Sequence, residues 1–134
     1  MNKIFSIIIM TVMFSGAAWA HEDEKHGVHF ITPLNNAIVD DNMHVAMAVM
    51  GMGVHKAGEL KQGTGHFHVI VDGAFVPVGE VVKKDATHMH FGKGQTETAL
   101  NLAKGRHTLT LQFADGHHVS YGKAWSKTIH VQVK

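Results

Sequence analysis

Residues 107–113, His107-Thr108-Leu109-Thr110-Leu111-Gln112-Phe113, constrain the fold more than any other stretch. Leu109, Leu111 and Phe113 fall on one side and Thr108, Thr110 and Gln112 on the other, and a two-residue period belongs to an extended strand with one buried face. His107 begins the inward row. Shorter runs at 28–31, 37–39, 66–71, 75–78, 96–102 and 128–133 carry the same β-rich composition. They are separated by turn signals such as Thr32-Pro33-Leu34-Asn35-Asn36, Asp40-Asp41-Asn42, Asp72-Gly73 and Ala103-Lys104-Gly105-Arg106. Residues 43–52 alternate large with small side chains, which predicts burial on both faces or a bulge at Gly51. Asp72-Gly73 predicts a hairpin, with 75–78 following as its second arm or as an edge strand. Seven or so short strands without helical periodicity predict an all-β fold, an antiparallel two-sheet sandwich of immunoglobulin-like type, with a small β-barrel as the alternative.

The first twenty residues carry a different pattern. Lys3 precedes an apolar run over 4–14, and Ala18-Trp19-Ala20 supplies small residues around a cleavage point, the signature of a secretory signal. The run is too short to span a bilayer. We therefore expect residues 1–20 to be a cleaved signal peptide, 21–27 a flexible leader and 28–134 a single domain, located in the periplasm with no membrane anchor after cleavage. The processed chain has 134 − 20 = 114 residues and, without Lys3, 12 − 1 = 11 basic residues against 11 acidic. A charge near zero disfavours nucleic acid and anionic membranes as partners. There is no cysteine, which excludes disulfides, thiolate zinc sites, cysteine nucleophiles and a lipidated cysteine.

Histidine is the compositional outlier: all 13 lie after residue 20. Two pairs matter most, His66-Phe67-His68 and His88-Met89-His90. Residues two apart on a strand share a face, so each pair can aim two neutral imidazoles at one ion. His107 and His117, at strand ends, are further candidate ligands. His21, which would become the first residue and could chelate through amine and ring together, and Met50, Met52 and His55, beside glycines, form a possible accessory set. Glu97 is a candidate acceptor for a ligand's ring N–H. No catalytic residue is assigned: Ser120 and Ser126 lack the G-x-S-x-G context, and no phosphate loop occurs.

Three segments together, Gly65-His66-Phe67-His68-Val69-Ile70-Val71-Asp72, His90-Phe91-Gly92-Lys93-Gly94-Gln95-Thr96-Glu97 and Gly105-Arg106-His107-Thr108-Leu109-Thr110-Leu111-Gln112, resemble a small secreted bacterial family known as domain of unknown function 4399. The resemblance runs from about Val28 to the C-terminus. It implies a periplasmic sandwich with histidines at positions matching His66, His68, His90, His107 and His117, and it brings no activity. The chain departs from the family's pattern near Lys56 and in residues 121–126, where proline is expected.

The expectation from sequence is a non-enzymatic periplasmic protein that binds metal, copper first and zinc as the alternative, for storage or delivery, possession of a metal-transfer partner protein being part of that expectation. His68 and His90 are its central ligands. The competing expectations are a sandwich used only for protein contacts and a copper-dependent oxidase using His21.

Overall fold

The computed structural model describes residues 26–134; the expected signal peptide and the leader up to Lys25, including His21, lie outside the described residues. Nine strands run β1 Gly27–Thr32, β2 Ala37–Val39, β3 Asn42–Met50, β4 Gly53–Val54, β5 Thr64–Val71, β6 His88–His90, β7 Glu97–Asn101, β8 Gly105–Ala114 and β9 Ser126–Val133. A single 3-10 turn, Lys123–Trp125, is the only helical element among the described residues, and no helix among them is long and apolar enough to cross a membrane.

The strands form two sheets. β1, β3 and β7 make a three-stranded antiparallel sheet, and β2, β9, β8 and β5 lie side by side in a larger one. β4 and β6 both pair with the remaining edge of β5, at Thr64–Gly65 and at 68–70 respectively. The expected all-β sandwich is what forms.

Its core is the meeting of two apolar faces. Val28, Phe30, Met43, Val45, Met47 and Leu100 come from the smaller sheet; Phe67, Val69, Leu109, Leu111, Phe113, Ile129, Val131 and Val133 come from the larger. Each large side chain so buried contributes roughly 1.5–3 kcal/mol, and the two-residue period of every strand gathers them on one side. In β3 the burial is one-sided: Met43, Val45 and Met47 face the core, with His44 exposed and Ala46 and Ala48 half-buried between them. The small residues of the 43–52 pattern therefore mark the outward face of a strand, which ends before Gly51 at φ 89°.

The outer face of the larger sheet is also covered, unlike the solvated outer face of a simple sandwich. Thr110 and Gln112, read as outward, are outward but buried, because the chain leaving β5 crosses over them. The 75–78 segment does not form a hairpin arm. It runs across β8, where the Val76 N–H donates to Gln112 Oε1 at 2.9 Å and Thr110 Oγ1 donates to the Gly73 carbonyl at 2.8 Å. The same excursion then joins the 115–122 loop, with the Ser120 hydroxyl donating to the Val76 carbonyl and the Val82 N–H to the His118 carbonyl. A polar sheet face sealed in this way is where the candidate site lies.

Candidate metal centre

On β5 the core side takes Phe67, Val69 and Val71, so His66, His68 and Ile70 face the covered outer side. β6 pairs antiparallel with β5, His90 opposite His68 and His88 opposite Ile70, and residues opposite each other share a face. His90 thus lies beside His68. The 115–122 loop adds His118, whose φ of 66° turns it back toward β5. Asp115 shapes that turn: its Oδ1 accepts the N–H groups of His117 and Val119 at 2.8 and 3.0 Å, and its carbonyl accepts the His118 N–H at 2.9 Å.

His66, His68, His90 and His118 converge, each offering one ring nitrogen within 4.8 Å of the others'. All six ring-centroid separations lie between 4.6 and 5.8 Å. His66 and His68 are fully buried and the other two are half-buried.

Hydrogen bonding cannot satisfy this group. His66 Nε2 lies 3.0 Å from His68 Nε2 and 3.1 Å from His118 Nδ1, yet a ring nitrogen carries either one proton or one lone pair, not both. His66 Nδ1, His68 Nδ1 and His90 Nε2 are buried without any partner. Each such group costs about 1–3 kcal/mol. Burial also keeps the rings neutral: desolvation, then the neighbouring imidazoles of His90 and His118, lower the pKa of His66 to about 4. Desolvation and then the charges of His66, His90, His118 and His88 lower His68 further, to about 2. His90 is shifted down by desolvation, His118 and Lys84. Lone pairs are therefore available at neutral pH. Tetrahedral nitrogens about 2.0–2.1 Å from a zinc-sized ion stand about 3.3 Å apart, close to the two spacings already present.

The remaining candidate residues are not among the four that converge. His88 is on the same face as His90, but its Nδ1 is 2.8 Å from Asp85 Oδ1 and 3.0 Å from Thr87 Oγ1; the bond from His88, with those from Thr87, holds the Asp85 carboxyl well below the usual range. His107 is outside the cluster, with Nδ1 2.7 Å from Asp72 Oδ2 and Nε2 2.8 Å from the Ala103 carbonyl. His117 is exposed, and its neighbour His118 is the one that enters the cluster. His55 Nδ1 meets the Lys56 carbonyl, Met50 is exposed, and Met52 packs against the core. Glu97 stands on the smaller sheet, 3.3 Å from His44 Nε2. Strand parity could not have separated His117 from His118, because the choice is made by a turn.

No curated protein matches the chain. Among solved structures, the X-ray structure of the endo-beta-1,4-mannanase from Thermotoga petrophila is similar over 85% of this chain and 21% of that one, at 15% identity and a TM-score of 0.49. The chain thus spans about a fifth of the length of that enzyme. The family defined by the domain of unknown function DUF4399 matches residues 45–134, a span that contains all four clustered histidines. The chain belongs to this DUF4399 family.

Proposed function

We propose that the protein is a periplasmic metal-binding protein that handles copper, as Cu(II), through His66, His68, His90 and His118. The observation that carries this reading is the convergence of one ring nitrogen from each of four histidines, with His66 Nε2 facing two other ring nitrogens at once and His90 Nε2 buried without a partner. A cation converts that conflict into four bonds. Copper leads because an all-imidazole set without thiolate or carboxylate suits borderline ions, and Cu(II) heads the affinity order for nitrogen sites. Zinc is the alternative ion. The clustered donors are all nitrogen, with Met50 and Met52 apart from them, which disfavours Cu(I). Export is supported by the pattern of Lys3, the apolar 4–14 run and Ala18-Trp19-Ala20; intact-mass measurement of the exported protein should place its first residue at His21.

The test is titration of the protein with Cu(II), Zn(II) and Cu(I), beside a His68→Ala/His90→Ala double variant. One equivalent of tightly held Cu(II), lost in the double variant, is the expected result. Weak uptake that is unchanged by the double substitution would sink the proposal and leave a sandwich used for protein contacts. Preferential uptake of Zn(II) would keep the centre and replace the ion.

A further inference from the structure

The four ligands come from three pieces of chain, and two of those pieces are weakly held by the sheet. β6 is only three residues long, and His118 lies in a turn that belongs to no strand. One short loop, residues 55–59, bonds to all three. The His55 N–H donates to the Gly65 carbonyl, next to His66; the Ala57 N–H donates to the Gly92 carbonyl, two residues past His90; the Gly58 N–H donates to the Gly116 carbonyl, two residues before His118. Each of the three bonds is 2.8 Å long.

The three acceptors are all glycine, and none of them has a positive φ, so backbone conformation does not demand that residue. Close approach does. A Cβ on Gly65 would meet the Ala114 carbonyl and the Phe113 ring; one on Gly92 would enter the His90 imidazole; one on Gly116 would run into the Glu59 carbonyl. At Gly116 the bare backbone lets the loop close to hydrogen-bond distance, while at Gly65 it makes room for β8 and at Gly92 for the imidazole of the ligand His90.

We propose that residues 55–59 form a backbone clamp that fixes the spacing of the three ligand-bearing segments and thereby sets the affinity of the metal centre. The proposal rests on the metal reading above. Metal sites are sensitive to such support: loss of a partner that orients a ligand lowers affinity by roughly 10–100-fold. Ala57 and Gly58 are positioning residues, acting only through Gly92 and Gly116. Linkage makes the effect reciprocal, so an ion that prefers the closed clamp must also hold it closed.

The experiment compares the full chain with Ala57→Pro, which removes one clamp donor, and Gly116→Ala, which pushes Glu59 away. Co(II) serves as the probe because its visible bands report coordination number. The wild-type protein should take up one equivalent. Both variants should bind about 10–100-fold more weakly, with weaker visible bands as solvent completes the coordination. In the wild-type protein, amide exchange at His55, Ala57 and Gly58 should slow about tenfold or more on metal loading, while Asn36 and Ala37, at the β2 side of the sheet, keep their rates. Folded variants with unchanged affinity and spectrum would overturn the clamp, as would unchanged exchange at its three amides on loading. If a variant does not fold, the wild-type exchange measurement decides. A wild-type protein that takes up no metal would overturn both the clamp and the metal reading.

Discussion

His68 on β5 and His107 on β8 occupy neighbouring strands of one sheet in opposite electrostatic settings. His68 sits among three other imidazoles, with Nδ1 unpartnered and its pKa driven down by desolvation first. His107 has an acceptor on each nitrogen, the Asp72 carboxylate and the Ala103 carbonyl. Two acceptors require two N–H donors, which only the imidazolium has. The hydrogen bond to Asp72 and then that to Ala103 raise the pKa of His107 against the pull of desolvation. Asp72, although desolvation pulls it upward, is held below its ordinary value by the His107 bond and the Thr108 N–H. One histidine has a lone pair that could go to an ion, and the other offers a cation to the fold. Histidine content alone therefore does not locate a metal centre; what surrounds both ring nitrogens does.

The largest effect that separates the two settings should come from His68→Leu. Metal affinity should fall by at least the roughly 10–100-fold seen when lesser supports are removed. The metal-free protein should nevertheless gain about 1 kcal/mol, since an unsatisfied buried polar group is replaced by an apolar one. Chemical denaturation with and without metal checks both; a loss of metal-free stability would say that the imidazole is structural.

Gln112 lies opposite His68 on β8 and is its satisfied counterpart. Its Oε1 accepts the Val76 N–H, and its Nε2 donates to the carbonyls of Phe113 and Gly122 at 3.1 Å. Gln112→Leu should cost about 2 kcal/mol by stranding those groups, read as a lower denaturation midpoint. An unchanged midpoint would mean that the covering chain is not tethered there.

His107→Ala should cost about 1 kcal/mol, the charged hydrogen bond being discounted because the Asp72 side chain is 52% exposed, and should leave metal affinity unchanged. The pH dependence has two edges. Because His107 has a raised pKa in the folded state, its contribution is complete below the unfolded value of 6.5 and is lost as pH rises through the folded value. Because Asp72 has a lowered one, its contribution is complete above 3.8 and is lost as pH falls through the folded value. The penalty of the substitution should therefore be greatest between those limits and shrink on both sides. A penalty independent of pH would remove the ion pair from the account.

The smallest effect is expected from His117→Ala, which should change metal affinity by less than about twofold, while the adjacent His118→Ala should weaken it by about 10-fold or more. Equal losses from both would mean that the turn rearranges around the ion.

Much of this arrangement could be read from the chain. The alternation in 107–113 assigned Leu109, Leu111 and Phe113 to the core, and the two-residue spacing put His66 on one face with His68 and His88 on one face with His90. What failed lies where periodicity stops. His118 is chosen over His117 by the left-handed turn that Asp115 stabilises. His88 has the right parity and shares the face of His90, but its ring nitrogens are not among those that converge, and its Nδ1 is held by Asp85 in a local turn. The hairpin expected after Asp72-Gly73 is replaced by a segment that crosses β8, bonding to Gln112 and Thr110 and burying them. Glu97, near His90 in sequence, is carried to the other sheet by β7.

The absence of cysteine gives the covered face a mechanical meaning. An ion shared by His68, His90 and His118 would bridge stretches of 90 − 68 = 22 and 118 − 90 = 28 residues, and by binding only the folded arrangement it would stabilise it by mass action, about 2.7 kcal/mol at a hundredfold excess over Kd. Loading would then staple the long excursion over β8 to the sheet beneath it, a reversible fastening in a chain that has no disulfide to use. Unfolding would have to wait for the ion to leave, so the lifetime of the folded protein would follow the supply of metal around it.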